Sequence, residues 1–187
     1  MPGIGYPDEG AISKDGTSES SINLDIVLKL QGLLEQSGCE VILTRSDENG
    51  IYESNANSIR EKKISDMKNR VTIGNDSNAE IFVSIHMNKI PQTKYSGYQS
   101  FYKNNDEKSK HLANSIQKNL NYFIEKNNNR EIKSISNIYI TKKVEIPLTI
   151  IECGFLSNVD EVSKLKDDNY QDLLAWSIYA GILDYFN

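Results

Sequence analysis

IFVSIHMN, residues Ile81 to Asn88, is a short apolar run rich in Ile, Val and Phe that delivers one histidine, His86, to its carboxyl end. Such a run suits a strand buried on both faces, as in parallel sheets sandwiched between helices. In open α/β sheets the chemistry collects just beyond the carboxyl ends of such strands. His86 stands at that boundary, so this stretch sets both the expected fold and the first candidate site residue.

The flanking sequence supports the same architecture. Upstream, Met1 to Thr17 is rich in Gly, Pro, Ser and Asp and reads as an extended loop with tight turns. Ile22, Ile26, Leu30, Leu33 and Leu34 then form a helical stripe, with Thr17 or Ser18 as N-cap and Gly38 as breaker. CEVILT, Cys39 to Thr44, reads as a strand, Arg45 to Ser58 as a polar loop, and Ile59 to Asn78 as a second helix leading into the His86 strand. Downstream, Tyr98 to Tyr102 alternates like a partly exposed strand and Ser109 to Ile124 is amphipathic. KNNNREIKS reads as a flexible turn, Ile138 to Thr141 as a strand, Leu148 to Cys153 as a buried strand, and Tyr170 to Phe186 as a closing helix with Trp176 in the core. Strands alternating with helices predict a single α/β domain over residues 1–187, with a mostly parallel central sheet and helices on both faces.

Composition narrows the function. A length of 187 residues suits one core, and 38% hydrophobic with 25% charged residues is ordinary for a globular protein. No apolar run approaches the roughly 20 residues of a membrane span, so no transmembrane segment is expected, and no signal sequence is evident at Met1. A formal charge of -5, without a basic stripe, argues against nucleic acid as a partner. The two cysteines, Cys39 and Cys153, are too few for a disulfide scaffold or a thiolate metal site and read as buried free thiols.

If the sheet is parallel, the ends of CEVILT, IFVSIH and LTIIEC lie along one edge and bring His86 toward Glu152. Glu152 ends an apolar strand, where an ionised carboxylate is costly unless it meets a cation, a donor or water. Glu19 falls in the first turn of a helix, where capping alone would explain it. Together an imidazole and two carboxylates suit a divalent metal and an activated water, which is hydrolytic chemistry. The sequence has no Gly-x-Ser-x-Gly elbow, no GxGxxG and no GxxxxGK[ST] loop.

These motifs resemble those of the zinc-dependent N-acetylmuramoyl-L-alanine amidases of the amidase 3 family. PGIGYPDEGAI is similar to the family's opening loop, SESSINL to its Glu-bearing helix start, and EVILTR to the strand that follows. NRVTIGND, AEIFVSIHMN and IPLTIIECGFLSN resemble its Arg-containing helix, its second histidine motif and its catalytic-glutamate strand. Within the family, SGYQSFY, NIYI and the YQDLLAWSIYAGILDYF tail are most similar to spore-cortex members.

The resemblance implies one zinc ion with Glu19 and His86 among its ligands, Glu152 as general base, and peptidoglycan cut between N-acetylmuramic acid and L-alanine. It implies work outside the cytoplasm, either secreted or in the forespore intermembrane space, and leaves room for an activating protein partner. It also implies a histidine where this chain has Ile4, which offers no lone pair, and a first strand ending near Met1. Asp8, in the same loop, has an oxygen to offer, and Arg45, Arg70 and Asn88 are candidate substrate contacts, with structural pairing and strand termination as their plain alternatives. Tyr95, Tyr98 and Tyr102 are candidates for sugar stacking or for simple edge-strand pairing, and His111 is expected to face solvent. The alternative function is a non-catalytic or partner-activated cell-wall-binding homologue whose zinc site Ile4 weakens.

Overall fold

The computed structural model describes residues 5–125 and 128–187. Ile4 and Met1, whose identities bear on the metal site, lie outside the described residues. In chain order the elements are α1 (Glu19–Gln36), α2 (Ile59–Asp76), β1 (Phe82–Asn88), β2 (Gln99–Lys103), α3 (Glu107–Phe123), β3 (Lys133–Ile135), α4 (Tyr139–Lys143), β4 (Leu148–Phe155), α5 (Val159–Leu165) and α6 (Asp168–Phe186). The strands form one sheet in the order β1-β4-β2-β3. The β1/β4 and β2/β3 pairs are parallel and the β2/β4 pair is antiparallel, so the sheet is mostly parallel as expected.

Two apolar clusters sandwich the sheet. Ile85, Met87 and Ile151 pack with Ile22, Ile26 and Leu30 of α1, Leu112, Ile116 and Leu120 of α3, and Leu174, Ile178 and Ile182 of α6. On the other face Phe82, Leu148 and Ile150 pack with Val71 of α2 and Ile140 and Val144 at α4. Alternation along β1 and β4 sends successive side chains to opposite clusters, and apart from the buried Ser84 and Thr149 both strands are apolar up to His86 and Glu152. Helix starts follow local chemistry: the Ser18 hydroxyl accepts from the Ser21 N–H, and Ser58 and Glu61 form a capping box. No helix of the described residues is long and apolar enough to cross a membrane.

The structure corrects several expectations. CEVILT is not a strand: it has no ladder partner among the described residues, and Ile42 is 46% exposed. A strand is a pairwise structure, and propensity without a neighbour does not make one. Residues 138–141 are not a strand either. Tyr139–Lys143 is helical because Ile140 and Val144, four apart, both bury against Val71, a spacing that a helical turn satisfies and strand alternation does not. The polar KNNNREIKS segment ends in β3, which borrows its order from pairing with β2.

β2 is an interior strand, so Tyr98 is buried and its hydroxyl donates to the Leu120 and Glu125 carbonyls, which removes it from any sugar-stacking surface. Trp176 is 45% exposed, since it falls on the helix face opposite Leu174 and Ile178. Cys39 is exposed and only Cys153 is buried.

Candidate active site

The loop before α1 is folded onto the helix start. The Glu19 N–H donates to the Ala11 carbonyl (2.8 Å) and the Ser20 N–H to that of Glu9 (3.3 Å), with a bridge between Ile12 and Ser18. Asp15 gathers donors from Ser13 and Thr17, and the Ser13 hydroxyl above all holds its carboxyl far below the ordinary range. Gly5 is required where it stands: a Cβ there would lie 2.7 Å from the backbone of Asn49 and Gly50. The opening loop is thereby clamped between α1 and the segment at Glu48 to Gly50, to which Tyr6 is hydrogen-bonded.

Glu19 reaches β1 on the side away from β4. In a parallel pair, alternate N–H groups of an edge strand point away from the neighbour. One of these, the Met87 N–H, donates to Glu19 Oε1 at 3.3 Å, and His86 Nδ1 meets the same oxygen at 2.9 Å. Oε2 accepts from the Ala11 N–H at 2.9 Å, and Asn23 Nδ2 approaches Oε1 at 3.5 Å. Burial raises the Glu19 pKa, but the His86 contact and the Ala11 and Met87 N–H groups outweigh it, so the carboxyl lies below its ordinary value. The group is 6% exposed and committed to its ionised form.

Glu152 arrives on the same sheet face through register. His86 and Glu152 are directly paired residues of β1 and β4, and paired residues share a face with backbones about 4.8 Å apart. On its other side Glu152 pairs with Gln99 of β2. Its Oε2 is enclosed without a hydrogen-bond partner among the described residues. Burial pushes its pKa up to about 7, opposed by the charge of His86 and reinforced by that of Glu19.

Three of the residues singled out in the sequence are thus brought together, in two roles. Glu19 and His86 are in contact and form an N/O donor pair of the chemistry zinc accepts. Among the described residues no group of three or more His, Cys, Asp or Glu side chains is placed to hold an ion, so Glu152 stands beside the pair and not in it. Asp8 is turned away and ion-paired with Lys63 at 2.9 Å.

Arg45 is buried, and its guanidinium donates to the carbonyls of Ser20 (2.7 Å) and Asp47 (2.6 Å), which braces the first turn of α1 from inside the fold. Arg70 is likewise buried and pairs with Asp66 and Thr44. Asn88 is half-buried at the end of β1, its carbonyl accepting from the Leu156 N–H. His111 is exposed beside Tyr185. Asn23 escaped notice in the sequence, although its position one turn after Glu19 on α1 was the available signal.

A family model described as N-acetylmuramoyl-L-alanine amidase matches residues 1–184. The chain is 38% identical over 185 residues to the germination-specific N-acetylmuramoyl-L-alanine amidase of Bacillus subtilis (strain 168), covering 99% of this chain and 77% of that protein. Among solved structures it is similar to the CwlD amidase from Clostridioides difficile in complex with the GerS lipoprotein, with a TM-score of 0.96 at 47% identity, covering 99% of this chain and 95% of that one. It is also similar to an N-acetylmuramoyl-L-alanine amidase from Clostridium difficile 630, with a TM-score of 0.86 at 30% identity over 99% of this chain and 93% of the other. The chain belongs to the N-acetylmuramoyl-L-alanine amidase family.

Proposed function

We propose that the chain hydrolyses the amide between N-acetylmuramic acid and L-alanine in peptidoglycan, outside the cytoplasm, during maturation of the spore cortex for germination. The observation that carries this reading is the contact of Glu19 with His86 beside the unpartnered, raised carboxyl of Glu152. A binding module has no use for an enclosed carboxylate without a donor, which costs stability and is retained where it handles a proton. Relatives named for this activity and for germination support the substrate and the setting.

In this reading Glu19 and His86 would hold zinc, with Glu19 fixed by Ala11 and Met87 so that its carboxylate needs no reordering. When bound, the ion supplies positive charge that acidifies water and offsets charge growing on the amide oxygen. Glu152, with a pKa of about 7, is poised to take a proton from water at Oε2 and to return it to the departing alanine nitrogen. A protein partner belongs to the proposal: a binder that favours the zinc-competent state would raise the affinity for zinc by population shift, and the lipoprotein complex of the CwlD relative supports such a partner.

The test is incubation of the purified chain with zinc and peptidoglycan, reading new N-terminal alanine against new reducing ends. Release of alanine amino groups without reducing ends is expected. Absence of new alanine amino groups, with and without added partner, would overturn the reading.

A further inference from the structure

The carboxyl edge of the sheet continues past Glu152 into a cationic and aromatic patch that the hydrolytic residues leave unused. β1 and β4 change register between His86 and Asn88, so Asn88 pairs with Phe155. The extra residue on β4 makes a bulge, and bulges re-aim the side chains that follow. His86 and Asn88 share a face of β1, and each shares a face with its partner, so Phe155 returns to the face of Glu152. Gly154 points the other way: a Cβ there would meet Leu165 and Glu161.

Over the Phe155 ring lies the guanidinium of Arg130, 4.8 Å from the centroid, with the Tyr95 ring 6.3 Å from the same centroid. Arg130 Nε donates to the Ser96 carbonyl at 3.1 Å, and no described carboxylate forms an ion pair with this arginine. Its mount is well built. Gly97, at φ +86°, gives its N–H to Glu161 Oε2 at 2.8 Å, and Asn158 Nδ2 donates to the Tyr95 carbonyl at 3.2 Å. A planar guanidinium held at Nε and stacked on a ring keeps its outer nitrogens for a carboxylate, with little side-chain freedom left to lose on binding.

We propose that Arg130 is a specificity-determining residue that reads a carboxylate on the second residue of the peptide, counted from the alanine at the scissile amide; this rests on the amidase reading. Phe155 stands three residues beyond Glu152, roughly 7 to 10 Å along a bulged strand, and an extended peptide covers that span in two to three residues at about 3.3 to 3.6 Å each. The ligand is therefore a muramoyl peptide with an acidic second residue, running from Glu152 to Arg130, which with Tyr95 covers the buried Phe155 ring.

The test uses the full chain carrying Glu152→Gln, so that ligand is bound without turnover, and calorimetric titration with three muramoyl peptides. One has a free carboxylate on the second residue, one has that group as a carboxamide, and one is amidated only at its C-terminus. The first and third are expected to bind alike and roughly tenfold or more tighter than the second. Adding Arg130→Gln, which keeps a donor and much of the stem, is expected to erase the difference, and Arg130→Lys to keep part of it, each with unchanged circular dichroism. A preference that survives Arg130→Gln, one that follows the C-terminal carboxylate, or no binding of any peptide would overturn the assignment. Cleavage is scored separately on the chain with Glu152. Failure there removes the amidase reading, while the binding ratio still reports on Arg130.

Discussion

Glu19 is both a helix-start residue and, in the proposed function, a zinc ligand, and the two roles reinforce each other. A carboxylate in the first turn of α1 is favoured by the helix dipole, and here it also satisfies the edge N–H of Met87 and orients the His86 ring. The opening loop joins the same cluster through Ala11, and the family resemblance implies a ligand histidine at position 4. Ile4→His is expected to tighten zinc binding by at least tenfold, measured by competition with a chelator; unchanged affinity would remove position 4 from the site. Glu152→Gln is expected to lower cleavage by about 10²- to 10⁴-fold while leaving the unfolding transition in place, because Oε2 has no partner to lose. Turnover near the parent rate would take Glu152 out of the mechanism. The convergence of His86 and Glu152 was readable in the sequence because each interrupts an apolar run, although β1 and β4 continue to Asn88 and Phe155. Helical position alone leaves Glu19 as a cap, and its grouping with His86 comes from the family resemblance, because the path of α1 past β1 is not written in local pattern.

At the scale of elements, local pattern worked where a segment carries its own burial signal and failed where a neighbour supplies it. The stripe of α1 and the apolar runs of β1 and β4 are self-declaring. CEVILT has the composition of a strand but no ladder partner among the described residues, and β3 has almost none of that composition yet pairs with β2. Close crossings are equally silent in sequence. A Cβ on Gly181 would lie 2.5 Å from the Ile116 Cα, so α6 crosses α3 with no room for a side chain. Gly181→Ala is expected to cost roughly 1 to 3 kcal/mol or more, read as a lower urea midpoint at unchanged slope; a neutral result would mean that the two helices separate easily.

α5 gives a pH-dependent counterpart. Burial raises the pKa of Glu161 against the lowering effects of the Gly97 N–H and Lys164, so the native state binds this proton more readily than the unfolded chain. Stability from this group is therefore present below the ordinary carboxylate value and is lost as pH rises through the raised one. Glu161→Gln is expected to melt above the parent near pH 7, with the difference closing toward pH 4. An equal difference at both values would assign the effect to packing instead.

Across the whole molecule, Glu19 and His86 form a preformed donor pair that the proposed function assigns to zinc, and that assignment ties metal, loop and fold into one equilibrium. Glu19 bridges α1, the opening loop and β1, so an ion held by Glu19 and His86 would tie together three segments distant in sequence. Any ligand that binds only the folded state adds RT ln(1 + [L]/Kd) to stability, about 2.7 kcal/mol at a hundredfold excess over Kd. For a domain of this size that corresponds to a rise in Tm of roughly 5 to 10 °C. Zinc is expected to raise the melting temperature in this way, a chelator to reverse it, and either Glu19→Ala or His86→Ala to abolish it. If the shift survives both substitutions, the ion is bound elsewhere. If the parent shows no shift until a protein partner is added, the partner completes the site, and the same titration with Ile4→His is expected to show the shift without it.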